Sequence, residues 1–204
     1  DIYVLEYTGS RLHFLGVSLK RSVDLIRAAR KKGLKLTSSV NAYNLLLDDC
    51  AVTGYNTNYK VNPHLRAKED INALIKGIAD GTIDTISSAH NPQDEECKKL
   101  EFDKADFGML GLETCYAVTN TAIGDKVDTG KIVELLSNNA RAILGLENKI
   151  EEGADADLTL FNPDLKWTFK ENDIQSRSKN TPFVGRQFTG KALGVINKGK
   201  LQLN

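Results

Sequence analysis

Gly81 to Leu112, GTIDTISSAHNPQDEECKKLEFDKADFGMLGL, is the stretch whose reading decides the fold. It opens with an apolar, β-branched run from Thr82 to Ser88. The chain then turns through Ala89, His90, Asn91 and Pro92 into a charged loop and recovers at Phe107-Gly108. A helix leads into it: Ile71, Leu74, Ile75 and Ile78 recur at i, i+3, i+4 and i+7 within Lys68 to Asp80, and Gly81 ends the pattern. Helix, buried strand and polar loop in that order make an αβ step. The loop at the end of such a strand is where α/β enzymes place their chemistry.

The same alternation extends upstream. Arg11 to Val17 and Leu34 to Val40 read as strands. Between them a helix presents Val23, Ile26 and Ala29; Ser22 is its expected cap, Lys31 and Lys32 favour its C-terminal end, and Gly33 stops it. Asp1 to Tyr7 reads as the end of a helix capped by Gly9, so the chain is expected to be a fragment or a processed product. Val61-Asn62-Pro63 is a short strand-like piece. Downstream, Leu112 to Asn120 and Gly130 to Leu144 read as helices, the second capped by Asp128 or Thr129.

The character changes at Gly153. Ala156 to Phe161 and Leu165 to Phe169 look like strands, and Lys191 to Leu203 has hairpin texture around Asn197 to Gly199. Alternating units predict a parallel sheet covered by helices over residues 1–150, with a small β domain over 151–204. The count is about four units, half of what a closed eight-stranded barrel needs. Periodicity alone allows an open doubly wound sheet just as readily.

Charge is balanced, with 27 basic and 27 acidic residues, which argues against nucleic acid or an acidic membrane as partner. Cys50, Cys97 and Cys115 are odd in number and widely spaced, so neither a disulfide framework nor a CxxC metal site is expected, and a reducing, cytoplasmic setting fits. No apolar run is long enough to span a membrane.

The opening stretch resembles the signature of dihydroorotases, amidohydrolase-superfamily enzymes of pyrimidine biosynthesis. Their pattern here reads roughly DGTID-x-I-x-x-DH-x-P-H, a charged loop, then PFG-x-x-G-x-E. The resemblance runs over essentially the whole chain. It implies an α/β fold: the C-terminal half of a metal-bearing (β/α)8 TIM barrel plus part of a small β-sandwich domain, seen in GADADLTLFNPDLKWTF and NTPFVGRQFTGKALGVINKGK. It also implies zinc-dependent opening and closing of a cyclic amide, in which the metal lowers the pKa of water and an Asp moves the proton.

The positions that the resemblance assigns to metal ligands are altered. Where relatives read like YHVCHVS, this chain has LHFLGVS, with Gly16 at a ligand His. Where they read like EVTPHHLLL it has SVNAYNLLL, with Tyr43 and Asn44 at the two His positions. Ala89 replaces the catalytic Asp. Glycine and alanine carry no ligand atom, and Tyr and Asn are poor substitutes for imidazole on zinc. By the same resemblance Asn62, Gln93, Phe107 and Gly108 stand at substrate-binding positions, with Gln93 able to donate a hydrogen bond.

Plainer readings stand beside these. His13 is expected to be a satisfied core histidine, His64 to face solvent, and His90 to pack rather than bind. Asp94 to Glu96 is expected to be a solvated acidic run, Cys97 and Cys115 ordinary thiols, and Trp167 and Phe169 β-domain core. The expected functions are a dihydroorotase with lost or impaired catalysis (a pseudoenzyme without bound zinc), a non-catalytic scaffold or partner subunit, for example of aspartate carbamoyltransferase, or a module holding a carbamoyl-aspartate-like ligand. Half a barrel has open sheet edges. It predicts pairing with a missing N-terminal half, with a second copy in a homodimer, or with another protein.

Overall fold

The computed structural model describes residues 1–146 and 150–203. Helix α1 (Ile2–Thr8) ends on Gly9 in the left-handed conformation and leads into β1 (Leu12–Phe14). Then come α2 (Lys20–Lys31), β2 (Leu36–Asn41), α3 (Lys68–Ala79) and β3 (Thr85–Ser87). The three strands form a parallel sheet in the order β1-β2-β3, with Leu12 opposite Leu36 and Ser39 opposite Thr85. Three strands stand where about four units were expected. Val61-Asn62-Pro63 forms no strand: Pro63 has no N–H to give a ladder.

The apolar stripes do what their spacing predicts. Val23, Ile26 and Ala29 of α2 and Leu74 and Ile78 of α3 are buried, and the two helices pack on each other. Ser22 is not the cap of α2. The cap position is Leu19, and the first-turn N–H of Lys20 donates instead to Asp70 Oδ1 of α3 at 2.7 Å. A carboxylate from the neighbouring helix thus replaces the local one. Arg27 of α2 reaches Asp80 at 2.7 Å, and Arg30 pairs with Asp84, which also accepts from Ser38 N at 2.7 Å. These ion pairs fix the helices against the sheet end opposite the candidate site.

After β3 the chain makes a long excursion containing α4 (Glu95–Lys98), then enters α5 (Cys115–Ile123). Asp128 caps α6 (Thr129–Val133) by accepting from Lys131 N at 2.9 Å. The helix expected over Gly130 to Leu144 is one unbroken helical run, with a π-helical stretch at Glu134–Asn138 before α7 (Asn139–Leu144). The domain boundary expected at residue 150 adjoins residues 147–149, which lie outside the described residues.

β4 (Asp157–Thr168), β5 (Gln187–Asn197) and β6 (Lys200–Leu203) form an antiparallel sheet in that order. The two strands expected at Ala156 to Phe161 and Leu165 to Phe169 are one strand with a register shift between Asn162 and Lys166. The Pro163 carbonyl in that shift accepts from Asn120 Nδ2 of α5 at 2.9 Å. Lys198 and Gly199 both have positive φ, 48° and 72°, as a two-residue hairpin requires. No helix among the described residues is long and apolar enough to cross a membrane.

Candidate functional site

The three parallel strands end on one side, and there the chain places Gly16, Tyr43, Asn44 and Ala89. Gly16 has φ 64°. A Cβ added to it would lie 3.2 Å from Pro63 Cδ and 3.3 Å from Asn41 Nδ2. A histidine here would therefore adopt a left-handed backbone and press on its neighbours. Asn41 Nδ2 donates to Tyr43 Oη at 2.9 Å, and Tyr43 Oη donates to the Asn62 carbonyl at 3.4 Å. Burial pushes the Tyr43 phenol up to about 12, so at neutral pH it stays a hydrogen-bond donor and not a phenolate ligand. Asn44 is buried, donates to His64 O at 3.4 Å, and its Oδ1 has no protein partner. Ala89, with φ 46°, offers a methyl group. The four positions that the resemblance assigns to metal ligands hold a phenol, an amide, a glycine and an alanine, and none of them carries an imidazole or a carboxylate. That set does not fit zinc. Among the described residues, the one group of His, Cys, Asp and Glu close enough to share an ion is Asp48, Asp49 and Cys50, remote in kind from this site and largely exposed.

The positions assigned to substrate lie on two neighbouring loops. Asn62 is exposed. Phe107 stacks edge-on with His64 at 5.8 Å, and Gly108 N donates to Lys60 O at 2.9 Å, so residues 60–64 and 107–108 form one wall. His64 faces solvent. Gln93 corrects the expectation of a free donor: its Nε2 already donates to Phe107 O at 3.0 Å and to Asn91 Oδ1 at 3.2 Å. What Gln93 has left is its Oε1 acceptor. Gly16 and Gln93 line different cavities. Gly16 borders an apolar groove of about 520 Å³ beside α1 and α2, and Gln93 a polar cleft of about 450 Å³ beside Lys98 and Asn180.

His90 is used structurally. Its Nδ1 accepts from Gly111 N at 3.2 Å and Leu112 N at 3.3 Å, closing the base of the excursion. His13 Nδ1 lies 2.7 Å from Thr37 Oγ1, and burial lowers its pKa, opposed by Asp84. Burial pushes the Cys115 thiol up to about 12, which leaves it inert as a nucleophile at neutral pH.

Two lysines escaped the sequence reading. Lys60 and Lys98 are both buried. Lys60 Nζ donates to Asp103 O at 2.9 Å and sits 4.8 Å from the Phe107 ring. Lys98 Nζ donates to Asp106 O at 2.9 Å and Gly108 O at 3.1 Å. Burial, and then the nearby Lys60 charge, lower Lys98 to about 8, with Asp106 opposing. A folded value below the unfolded one means that the unfolded chain binds more protons between them. Stability from this group therefore rises with pH from about 8 towards the ordinary 10.5. Comparison of denaturant midpoints at pH 7.5 and 9.5 is expected to show the wild type gaining on Lys98→Met over that window.

Residues 8–201 match the amidohydrolase family. The chain belongs to that family. Among curated relatives, it is 42% identical over 207 residues to a dihydroorotase of Thermoanaerobacter sp. (strain X514), covering 99% of this chain and 47% of the relative. It is 40% identical over 207 residues to a dihydroorotase of Caldanaerobacter subterraneus subsp. tengcongensis, with the same coverage of each. Among solved structures, L-hydantoinase from Arthrobacter aurescens superposes with a TM-score of 0.90 at 25% identity, over 98% of this chain and 46% of that one. This member of the amidohydrolase family thus spans about half the length of the curated relatives that it matches. Its parallel sheet is consistent with part of a TIM-barrel amidohydrolase.

Proposed function

We propose that this chain is the C-terminal half of a dihydroorotase-like protein of pyrimidine biosynthesis in which hydrolysis of the cyclic amide, dihydroorotate to N-carbamoyl-aspartate, is lost or severely impaired. Identity of about 40% to dihydroorotases along nearly the whole chain supports the lineage. The observation that carries the loss is Tyr43, its phenol hydrogen-bonded to Asn41 and to the Asn62 carbonyl, standing with Asn44, Gly16 and Ala89 where the resemblance places metal ligands. Water is a poor nucleophile at neutral pH without a metal to acidify it, and these side chains cannot grip one. The chain binds no zinc at these positions, and its free thiols suit a cytoplasmic setting.

A second reading, a non-catalytic scaffold or partner subunit, for example beside aspartate carbamoyltransferase, draws on a different feature. Tyr3, Tyr7, Leu15 and Leu25 are exposed next to β1, which is an edge of the parallel sheet. Such a surface suits the other half of a barrel, a second copy or another subunit.

Zinc content and turnover test the main reading. After incubation with excess zinc and dialysis, the protein is expected to retain fewer than about 0.1 zinc per chain and to turn over no dihydroorotate above the buffer rate. Near-stoichiometric zinc held at the strand ends, abolished by Tyr43→Phe, overturns it.

A further inference from the structure

The segment from Ala89 to Leu112 runs out from β3 and returns beside itself. His90 bridges to Met109, and Asn91 N donates to Met109 O at 2.9 Å. Its two limbs, residues 90–93 and 107–110, are therefore neighbours, and their main-chain groups need partners wherever water is excluded. Asn180, on the segment between β4 and β5, supplies four. Its Nδ2 donates to Asn91 O at 3.1 Å and Gly108 O at 3.2 Å. Its Oδ1 accepts from Gln93 N at 3.2 Å, and its main-chain carbonyl from Leu110 N at 3.0 Å. The residue is 5% exposed. Both amide hydrogens and the amide oxygen are engaged, so no side chain lacking either kind of group can repeat the pattern. The limbs also approach closely: a Cβ at Gly108 would stand 2.6 Å from Asn91 O. Lys98 shares the Gly108 carbonyl at 3.1 Å from the other side.

We infer that Asn180 is a positioning residue: its amide, inserted between the two limbs, sets the wall that carries Gln93 and Phe107–Gly108. The docked tail is therefore part of the site, although Asn180 itself touches no reacting atom. The ligand-facing role of that wall rests on the reading proposed above; the clamp itself does not.

Residue-resolved hydrogen exchange on the whole chain tests it, in wild type, Asn180→Ala and the isosteric Asn180→Asp, which keeps the acceptor and loses both donors. Main-chain amides of Asn91 and Leu110 are expected to exchange at least about tenfold faster in both variants, and that of Gln93, whose acceptor Asp keeps, in Asn180→Ala, with those of β2 and α3 unchanged. Unchanged exchange at these limbs, or equal acceleration everywhere, including outright unfolding of both variants, overturns the inference. Dihydroorotate is then added. Slower exchange at 91–93 and 107–110 in the wild type, absent in the variants, supports the clamp and the ligand reading together. Loosened limbs in the variants, with no response to dihydroorotate in the wild type, leave the clamp standing and remove dihydroorotate as its ligand.

Discussion

Gly111→Ala is expected to lower stability by about 3 kcal/mol, because the added methyl has nowhere to go. A Cβ at Gly111 would lie 2.0 Å from the Ser88 carbonyl oxygen and 3.0 Å from its carbon. Both are main-chain atoms, so no rotamer change relieves the clash. Ser88 follows β3 directly, and Ala89 beside it already occupies the left-handed region with φ 46°. Separating the two segments by the ångström or more required would also pull Gly111 N and Leu112 N away from His90 Nδ1. The loss should begin at the excursion, not in the core. Equilibrium denaturation measures the total, and proteolysis sites in 89–112 appearing ahead of global unfolding identify its origin. A change below about 1 kcal/mol would mean that the base of the excursion is not held as described.

How far the residues themselves disclose this architecture depends on the range of the forces. α3 is legible because Leu74 and Ile78 repeat at helical spacing, and a stripe is a local property. β3 is legible because a β-branched run bounded by turn residues suits a buried strand. Ser22 misled because the first turn of α2 is served by Asp70, fifty residues downstream. The altered ligand positions could be read from the resemblance, but the contact of Pro63 with Gly16 could not, since it depends on where the Asn62 loop folds back. Gln93 looked like a free donor for the same reason: Phe107 O, fourteen residues away, takes its amide. Asn180 was invisible as a site residue because its partners lie 72 to 89 residues upstream. The signal available was a lone Asn before Thr-Pro in a polar tail, which by itself reads only as a turn.

Phe188→Ala is expected to cost about 3–5 kcal/mol, the range for emptying a fully buried aromatic site. Phe188 is 1% exposed on β5. Its ring stands 5.6 Å from Phe183, edge to face, and 6.2 Å from Trp167, which in turn lies edge to face with Phe169 at 5.9 Å. Phe169 and Phe183 are equally hidden. Removing one ring of such a cluster forfeits its transfer free energy, and rigid neighbours cannot close the gap. The position also ties the antiparallel sheet to α5: the next residue, Thr189, accepts from Asn120 of α5 at 2.9 Å, and Phe183 follows Asn180 by three residues. The cavity should therefore be felt at the clamp as well as in bulk stability. Phe188→Leu, which refills most of the volume, is expected to recover at least half of the loss. Denaturant midpoints of the two variants give the energies, and exchange at Gln93 and Leu110 reports the coupling. Equal midpoints for the Ala and Leu variants would show that the cluster relaxes freely, and that the tail is not fixed in place by its aromatic packing.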